Sequence, residues 1–254
     1  MVGGGKMGGA LLGNWMRASD TFTVIDPALE SVPDGAELVR EMQELSGRAF
    51  DVIVIAVKPQ LIDAVMPAYS AMLAQTGYTL SIAAGCEIAR IKSAMGDVPV
   101  VRVMPNLPAA IGKGVSAVCG SADASDVHLA HASAMMERTG TVVTVADEDK
   151  IDRFTAIAGS GPGYIFEFAR SYVDAAIELG FTKTEARAMV LDMIEGTIAM
   201  ARSSQEELSE LRNSVTSKGG TTAAGLNALN GDGDLSALLK GTLDAAYARA
   251  LELK

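Results

Sequence analysis

The chain reads as an α/β protein in which a doubly wound, parallel-sheet domain is followed by an all-helical one. Three observations predict this. Short apolar runs alternate with helical periodicity from residue 1 to about 146, a glycine-rich turn opens the first helical stretch, and strand signals stop after Asp152.

At 254 residues, 49% of them apolar, the chain is long enough for two domains with buried cores. The net charge of −10, with no Lys/Arg run to offset it, repels phosphate backbones and acidic lipid surfaces. Nucleic acid and membranes are therefore not expected as partners. A small anion is still compatible, because a recessed site supplies its own backbone amides and local cations. Cys86 and Cys119 form no C-x-x-C pair and read as small buried hydrophobes, so neither a disulfide framework nor a metal site is expected. No apolar run approaches the roughly 20 residues that span a bilayer, and the N-terminus lacks the regions of a secretion signal. The expected location is the cytoplasm.

The elements follow in order. Gly3, Gly5 and Gly8 form G-x-G-x-x-G, with Lys6 and Met7 inside it, ahead of a helical pattern over 7–17. Only Met1 and Val2 precede the motif, where a strand of about five or six residues belongs. The natural chain is therefore expected to extend several residues upstream. Strands are predicted over 22–25, 51–57, 78–83, 98–104 and 115–118, and further helices over 60–73 and 87–95. His128 and His131 fall in a later helix, on what reads as its solvated face, with no third ligand pattern nearby. The first domain is assigned to 1–148 and the helical domain to 149–254.

In the helical half, Ile165, Phe168, Tyr172 and Ala176 share one stripe, and Gly180 stands where a C-cap belongs. Thr182 with Glu185, and Ser204 with Glu207, have capping-box spacing. A last helix over 235–251 follows Asp234 as N-cap. Over 186–201 apolar residues occupy more than one helix face, so the segment is either central to its domain or packed on a partner chain. The second reading is preferred.

The glycine turn, in its strand-turn-helix setting, is a dinucleotide fingerprint and makes the first domain a Rossmann domain. Gly3 permits the tight turn, Gly5 lets a pyrophosphate approach the backbone, and Gly8 permits close packing of helix on strand. Asp26 closes the second strand, where a carboxylate accepts from the adenosine ribose diol. No arginine among residues 27–30 offsets it, which favours NADH over NADPH. The alternative role of Asp26 is to start a turn with Pro27. Ala56, Val57, Lys58 and Pro59 follow an apolar strand to the carboxyl edge of the sheet, where ligands collect. Lys58 reads there as a cofactor neighbour rather than an ordinary solvated lysine.

Two more glycine turns lie in the helical half, over 159–163 and over 217–222. Either is compatible with a plain connection. Consecutive glycines and hydroxyls at a helix start also present free amides to a carboxylate, and the second turn is the stronger candidate for this. With these residues in view, the chain resembles the pyrroline-5-carboxylate reductase family. The stretches 3–9, 56–60, 102–108, 158–164 and 216–226 carry the resemblance, which spans nearly the whole chain. Its most specific part is Thr216, Ser217, Gly219, Gly220, Thr222, Gly225 and Leu226.

The resemblance implies hydride transfer from NADH or NADPH to the cyclic imine 1-pyrroline-5-carboxylate, giving L-proline in the last step of its biosynthesis. It implies that Ser217, Gly219, Gly220, Thr221 and Thr222 hold the substrate carboxylate, that Thr222 is the catalytic residue beside the ring nitrogen, and that the loop after Val57 lines the nicotinamide. It also implies a homodimer or a ring of dimers, with the site built between one chain's cofactor domain and a partner's helices. Two positions depart from the family pattern: Lys218 stands where proline is usual and Leu107 where threonine is frequent. The first is expected to loosen the loop; the second removes a hydroxyl.

The chemistry suits these residues. Ketone reduction places charge on oxygen and needs a positioned acid, most often His or Lys, and the two histidines lie away from both turns. An imine nitrogen enters already protonated, so positioning and electrostatics suffice. This weighs against a hydroxyacid dehydrogenase. A reductase of a related imine and a non-catalytic nucleotide sensor are the other rivals, and a sensor has no need of a carboxylate cradle.

Overall fold

The structure, a computed structural model, describes residues 1–16 and 20–254. The described chain forms two compact units, Met1–Pro162 with Ala246–Lys254, and Gly163–Ala245.

In the first unit the order is α1 (Lys6–Trp15), β1 (Thr23–Ile25), β2 (Glu37–Val39), β3 (Phe50–Ile55), α2 (Ile62–Val65), β4 (Leu73–Ser81), α3 (Ile88–Met95), β5 (Val100–Met104), β6 (Gly114–Gly120), α4 (Asp126–Glu137), β7 (Gly140–Thr144) and α5 (Glu148–Phe154). The predicted end of the first helix, Arg17, lies outside the described residues. Strands β3 to β7 are neighbours in that order, and β1 pairs with β2. Val2 joins the two groups: it bridges in parallel to both Ile25 and Ile55, its amide donating to Val54 O at 2.8 Å. The sequence order thus reverses across Val2, immediately before Gly3, and ligands of doubly wound sheets bind at such a reversal.

Both faces of the sheet are covered, which explains why β3 reads as an almost unbroken apolar run. Leu11, Leu12 and Trp15 of α1 and Met135 and Met136 of α4 pack with Val24, Val54, Leu80 and Val101 on one face. Ile62, Met66, Ile91 and Met95 pack with Ile25, Ile53, Ile55 and Val100 on the other.

Several expectations are corrected. The sheet is mixed, because β6 runs antiparallel to β5; the link over 105–113 is too short for the crossover that a parallel pair needs. The predicted helix over 60–73 is instead a 3-10 turn at Pro59–Leu61, the single turn α2 and a 3-10 run at Met66–Met72. Pro67 lacks the N–H and clashes with the preceding turn, so an α-helix cannot continue through it. The histidines are not a solvated face: His131 Nδ1 lies 2.9 Å from the Tyr78 hydroxyl, and the His128 ring stacks on Tyr78 with centroids 5.0 Å apart. The Tyr78 ring, on the interior strand β4, holds both of them. Among the described residues no group of three or more His, Cys, Asp or Glu could hold a metal ion, and no helix is long and apolar enough to cross a membrane.

The first unit continues beyond residue 148 because α5 both packs on the sheet, through buried Ile151 against Ala117 and Cys119, and is ion-paired to it. Arg102 of β5, only 2% exposed, sends Nη1 to Glu148 Oε1 at 2.8 Å and Nη2 to Asp152 Oδ1 at 3.4 Å, which holds α5 on the sheet. Tyr247 donates to Asp149, and Lys254 pairs with Glu87 at 3.1 Å, returning the chain's last residues to the same unit.

The helices that follow are α6 (Gly161–Glu178), α7 (Lys183–Ser203), α8 (Leu208–Ser214), α9 (Thr221–Asn230) and α10 (Asp234–Glu252). At the end of α6, Gly180 has φ +101°, and the amides of Gly180 and Phe181 donate to Ile177 O and Ala176 O, the paired bonds of a Schellman stop. Thr182 and Glu185 form the expected capping box. The second box is shifted: Glu207 is the N-cap of α8 and pairs with Glu210, while Ser204 Oγ accepts from the Glu206 amide. Asp234 is the first residue of α10 rather than its cap. On α6 and α7 only Ala169, Ala176, Ala186 and Val190 are buried, whereas Phe166 is 63% and Met200 66% exposed.

Candidate active site

A cleft of about 570 Å³ opens at the carboxyl ends of β1 and β3 and at the glycine turn. Gly3, Gly5, Asp26, Ala56, Val57 and Lys58 all line it, so the structure brings together most of the residues predicted to hold a cofactor.

Each glycine is small for a different reason. Gly3 has φ +88°, and a Cβ there would stand 2.8 Å from Ala56 O, so its smallness serves the fold. At Gly8 a Cβ would press on Ala56 Cβ at 3.1 Å, the close helix-on-strand packing expected of the third glycine. Gly5 differs. It is exposed, a Cβ would meet no protein atom within 4 Å, and its φ of −60° suits any residue. The open space lies over the N-cap of α1, where no side chain caps the helix, so the amides of the first turn, Lys6, Met7 and Gly8, are left to an anion. The fit to a pyrophosphate is good. Pro59 starts the 3-10 turn that carries the chain from Lys58.

Asp26 fills the turn-starting role considered for it and adds a second tie. Its Oδ2 accepts from the Gly4 amide at 2.8 Å and its Oδ1 from the Ala28 amide at 2.9 Å. The second bond is the side-chain turn that Asp-Pro sequences favour, and the first ties that turn to the glycine loop. A residue that sequence reasoning missed stands beside it. Ile25 pairs with Val39 in the β1–β2 register, so Asp26 and Arg40 are the next residues beyond the pair, and Arg40 lines the same cleft. The absence of arginine from 27–30 therefore does not leave the cleft without one. The missed signal was the three-residue strand Glu37–Val39, which is too short to register as a periodic run.

In the second unit the other predicted residues meet at the start of α9. The Gly220 amide donates to Ser217 O at 3.0 Å, closing a turn in which Gly219 has φ +71°. This is the left-handed third position of a type II turn, where glycine is favoured. Lys218 occupies the second position, for which proline is pre-set. Gly220 is the N-cap, and although Thr221 and Thr222 open the helix, no side chain caps it. Ser217, Lys218, Gly219, Thr221 and Thr222 are exposed. The glycine turn predicted over 159–163 is instead helical: Gly159 ends a π-helical turn, Thr155–Gly159, whose Ala158 carbonyl accepts from Asn106 Nδ2 at 3.0 Å, and Gly161 to Gly163 open α6.

Comparison with known proteins decides the lineage. Residues 148–253 match the family model for pyrroline-5-carboxylate reductase dimerisation. The pyrroline-5-carboxylate reductase of Pseudomonas aeruginosa is 34% identical over 99% of this chain and 95% of its own. The chain belongs to the pyrroline-5-carboxylate reductase family. A solved member from Coxiella burnetii superposes with a TM-score of 0.90 at 30% identity, covering 100% of this chain and 97% of the other. The Plasmodium falciparum structure, which has NADP bound, gives a TM-score of 0.86 at 25% identity over 99% and 96% of the two chains. As a member carrying the family's dimerisation domain, the chain forms a homo-oligomer, and the apolar side chains left exposed on α6 and α7 are of the kind such an interface covers.

Proposed function

We propose that the protein reduces the C=N bond of 1-pyrroline-5-carboxylate to give L-proline, with a nicotinamide dinucleotide as hydride donor. The observation that carries this reading is the start of α9: a left-handed Gly219, an N-cap without a side-chain partner and exposed hydroxyls at Thr221 and Thr222. Uncapped first-turn amides at the positive end of a helix suit a small carboxylate.

In this reading the first-turn amides of α1 hold the pyrophosphate across the open face of Gly5, and Asp26 accepts from a ribose hydroxyl with its remaining lone pairs, which favours NADH. Leu61, Val65 and Met42 give the cleft an apolar wall suited to a flat base. The backbone of Ala56 to Pro59 lines the nicotinamide side. When bound, the nicotinamide supplies the hydride. Ser217, Gly219, Gly220 and Thr221 hold the substrate carboxylate, and the Thr222 hydroxyl steadies the ring nitrogen. That nitrogen enters protonated and keeps its proton as the imine carbon, C2 of the pyrroline ring, accepts the hydride, so no general acid is needed.

The finer assembly we propose is the dimer, stacked into a ring, in the cytoplasm, where the buried thiols of Cys86 and Cys119 stay reduced. The deciding experiment follows the loss of reduced-cofactor absorbance on adding pyrroline-5-carboxylate, with NADH and NADPH in parallel. Turnover with proline as product is expected; no turnover with either cofactor overturns the reading.

A further inference from the structure

We propose that Arg40 is the specificity-determining residue that admits a 2′-phosphorylated cofactor, so that NADPH binds alongside NADH in spite of Asp26. The inference rests on the dinucleotide reading of the cleft and adds the chemistry of its adenosine end.

Three observations carry it. First, parallel pairing of β1 with β2 places Arg40 and Asp26 side by side at the carboxyl edge, one residue past the Ile25–Val39 pair, and both line the cleft with Pro27 and Ala28. A group on the ribose that meets Asp26 is therefore within the neighbourhood of the guanidinium. Second, Arg40 is held but not neutralised. Its Nη2 donates to Leu29 O at 3.2 Å and Glu30 O at 3.4 Å, and among the described residues no carboxylate pairs with its guanidinium. The two carbonyls orient the fork while leaving its charge for an anion, and a planar guanidinium suits phosphate through paired N–H bonds. Third, Asp26 is the residue expected to repel a phosphate, yet each of its oxygens already accepts a backbone amide, from Gly4 and from Ala28. These amides partly offset the negative charge that a phosphate would meet.

The physical consequence is a balance rather than a single choice. Asp26 favours the free diol, Arg40 favours the phosphate, and the cleft accepts both.

The test is calorimetric and needs no turnover. Adenosine 5′-monophosphate and adenosine 2′,5′-bisphosphate, which differ only in the 2′-phosphate, are titrated into the full-length protein and into Arg40→Gln and Arg40→Lys. The wild type is expected to bind the bisphosphate at least as tightly as the monophosphate. Arg40→Gln is expected to lower the ratio of the two affinities by roughly tenfold or more, the scale of one charge-assisted phosphate contact. Arg40→Lys keeps the charge without the fork and is expected to fall between. Melting curves of the variants show that they are folded. If both nucleotides bind and the affinity ratio is the same in all three proteins, the Arg40 assignment is wrong while the cofactor cleft stands. If neither nucleotide binds the wild type, the cleft reading falls and the assignment with it.

Discussion

The main-chain amide of Gly4 donates to Asp26 Oδ2 at 2.8 Å, across 22 residues of sequence. The glycine loop and the end of β1 are thus one hydrogen-bonded object before any ligand arrives. Asp26→Ala removes the acceptor for two amides, and a loss of about 1–3 kcal/mol is expected in the unliganded protein. Denaturant unfolding measures it; an unchanged midpoint means the clasp contributes nothing to stability.

Gly5 and Gly3 separate ligand from fold. Gly5→Ala adds a methyl where no protein atom lies within 4 Å, so the melting temperature is expected to stay within a degree or two while the Kd for NADH rises by at least about tenfold. Gly3→Ala forces a Cβ toward Ala56 O at a positive φ and is expected to cost several kcal/mol in stability. If Gly5→Ala binds cofactor normally, the pyrophosphate does not cross that face.

Thr222→Ala is expected to lower kcat/KM by roughly ten- to a hundredfold, the value of one hydrogen bond to a charged group. Thr222→Ser, which restores the hydroxyl, is expected to recover most of it. Equal activity in all three proteins removes Thr222 from the chemistry.

Lys218→Pro tests the turn ahead of α9. Lys218 sits at the position that proline pre-sets, and Gly219 supplies the left-handed residue that follows. The substitution is expected to stabilise the fold by about 0.4–1 kcal/mol and to lower KM for the imine by reducing the loop's freedom. A raised KM means that the lysine contributes more through charge than the turn gains in stiffness.

Acid sensitivity follows from two surface carboxylates. The Arg90 hydrogen bond to Asp63 and the Lys92 hydrogen bond to Asp123 each hold the carboxylate below its ordinary range. Because the folded pKa is the lower one, the stabilisation is complete above the unfolded value near pH 4 and is lost as pH falls through the folded value. Lys92→Met is expected to flatten the acid limb of the melting curve; an unaltered limb shows that Asp123 does not contribute.

Legibility differed with the length and burial of the element. The buried strand β3 and the glycine fingerprint were plain because an apolar run and three spaced glycines are strong local patterns. β2 and β7 were not: one has three residues, and the other, Gly140–Thr144, is a largely exposed edge with no apolar face to announce it. The break at Pro67 was legible in principle, since proline cannot continue a helix. The antiparallel run of β6 is legible as well, since the link over 105–113 is too short for a parallel crossover. Arg40 could not be seen from its own surroundings in sequence. It becomes a site residue only through the register of β1 against β2, which no local pattern encodes.

Phe166, Met200 and, at 68% exposed, Leu238 leave the helical unit with much of its oily surface facing water in the single chain. Such a surface suits burial against another copy in the homo-oligomer. With folding linked to association in this way, resistance to heat is expected to climb as the solution is made more concentrated and to fall on dilution.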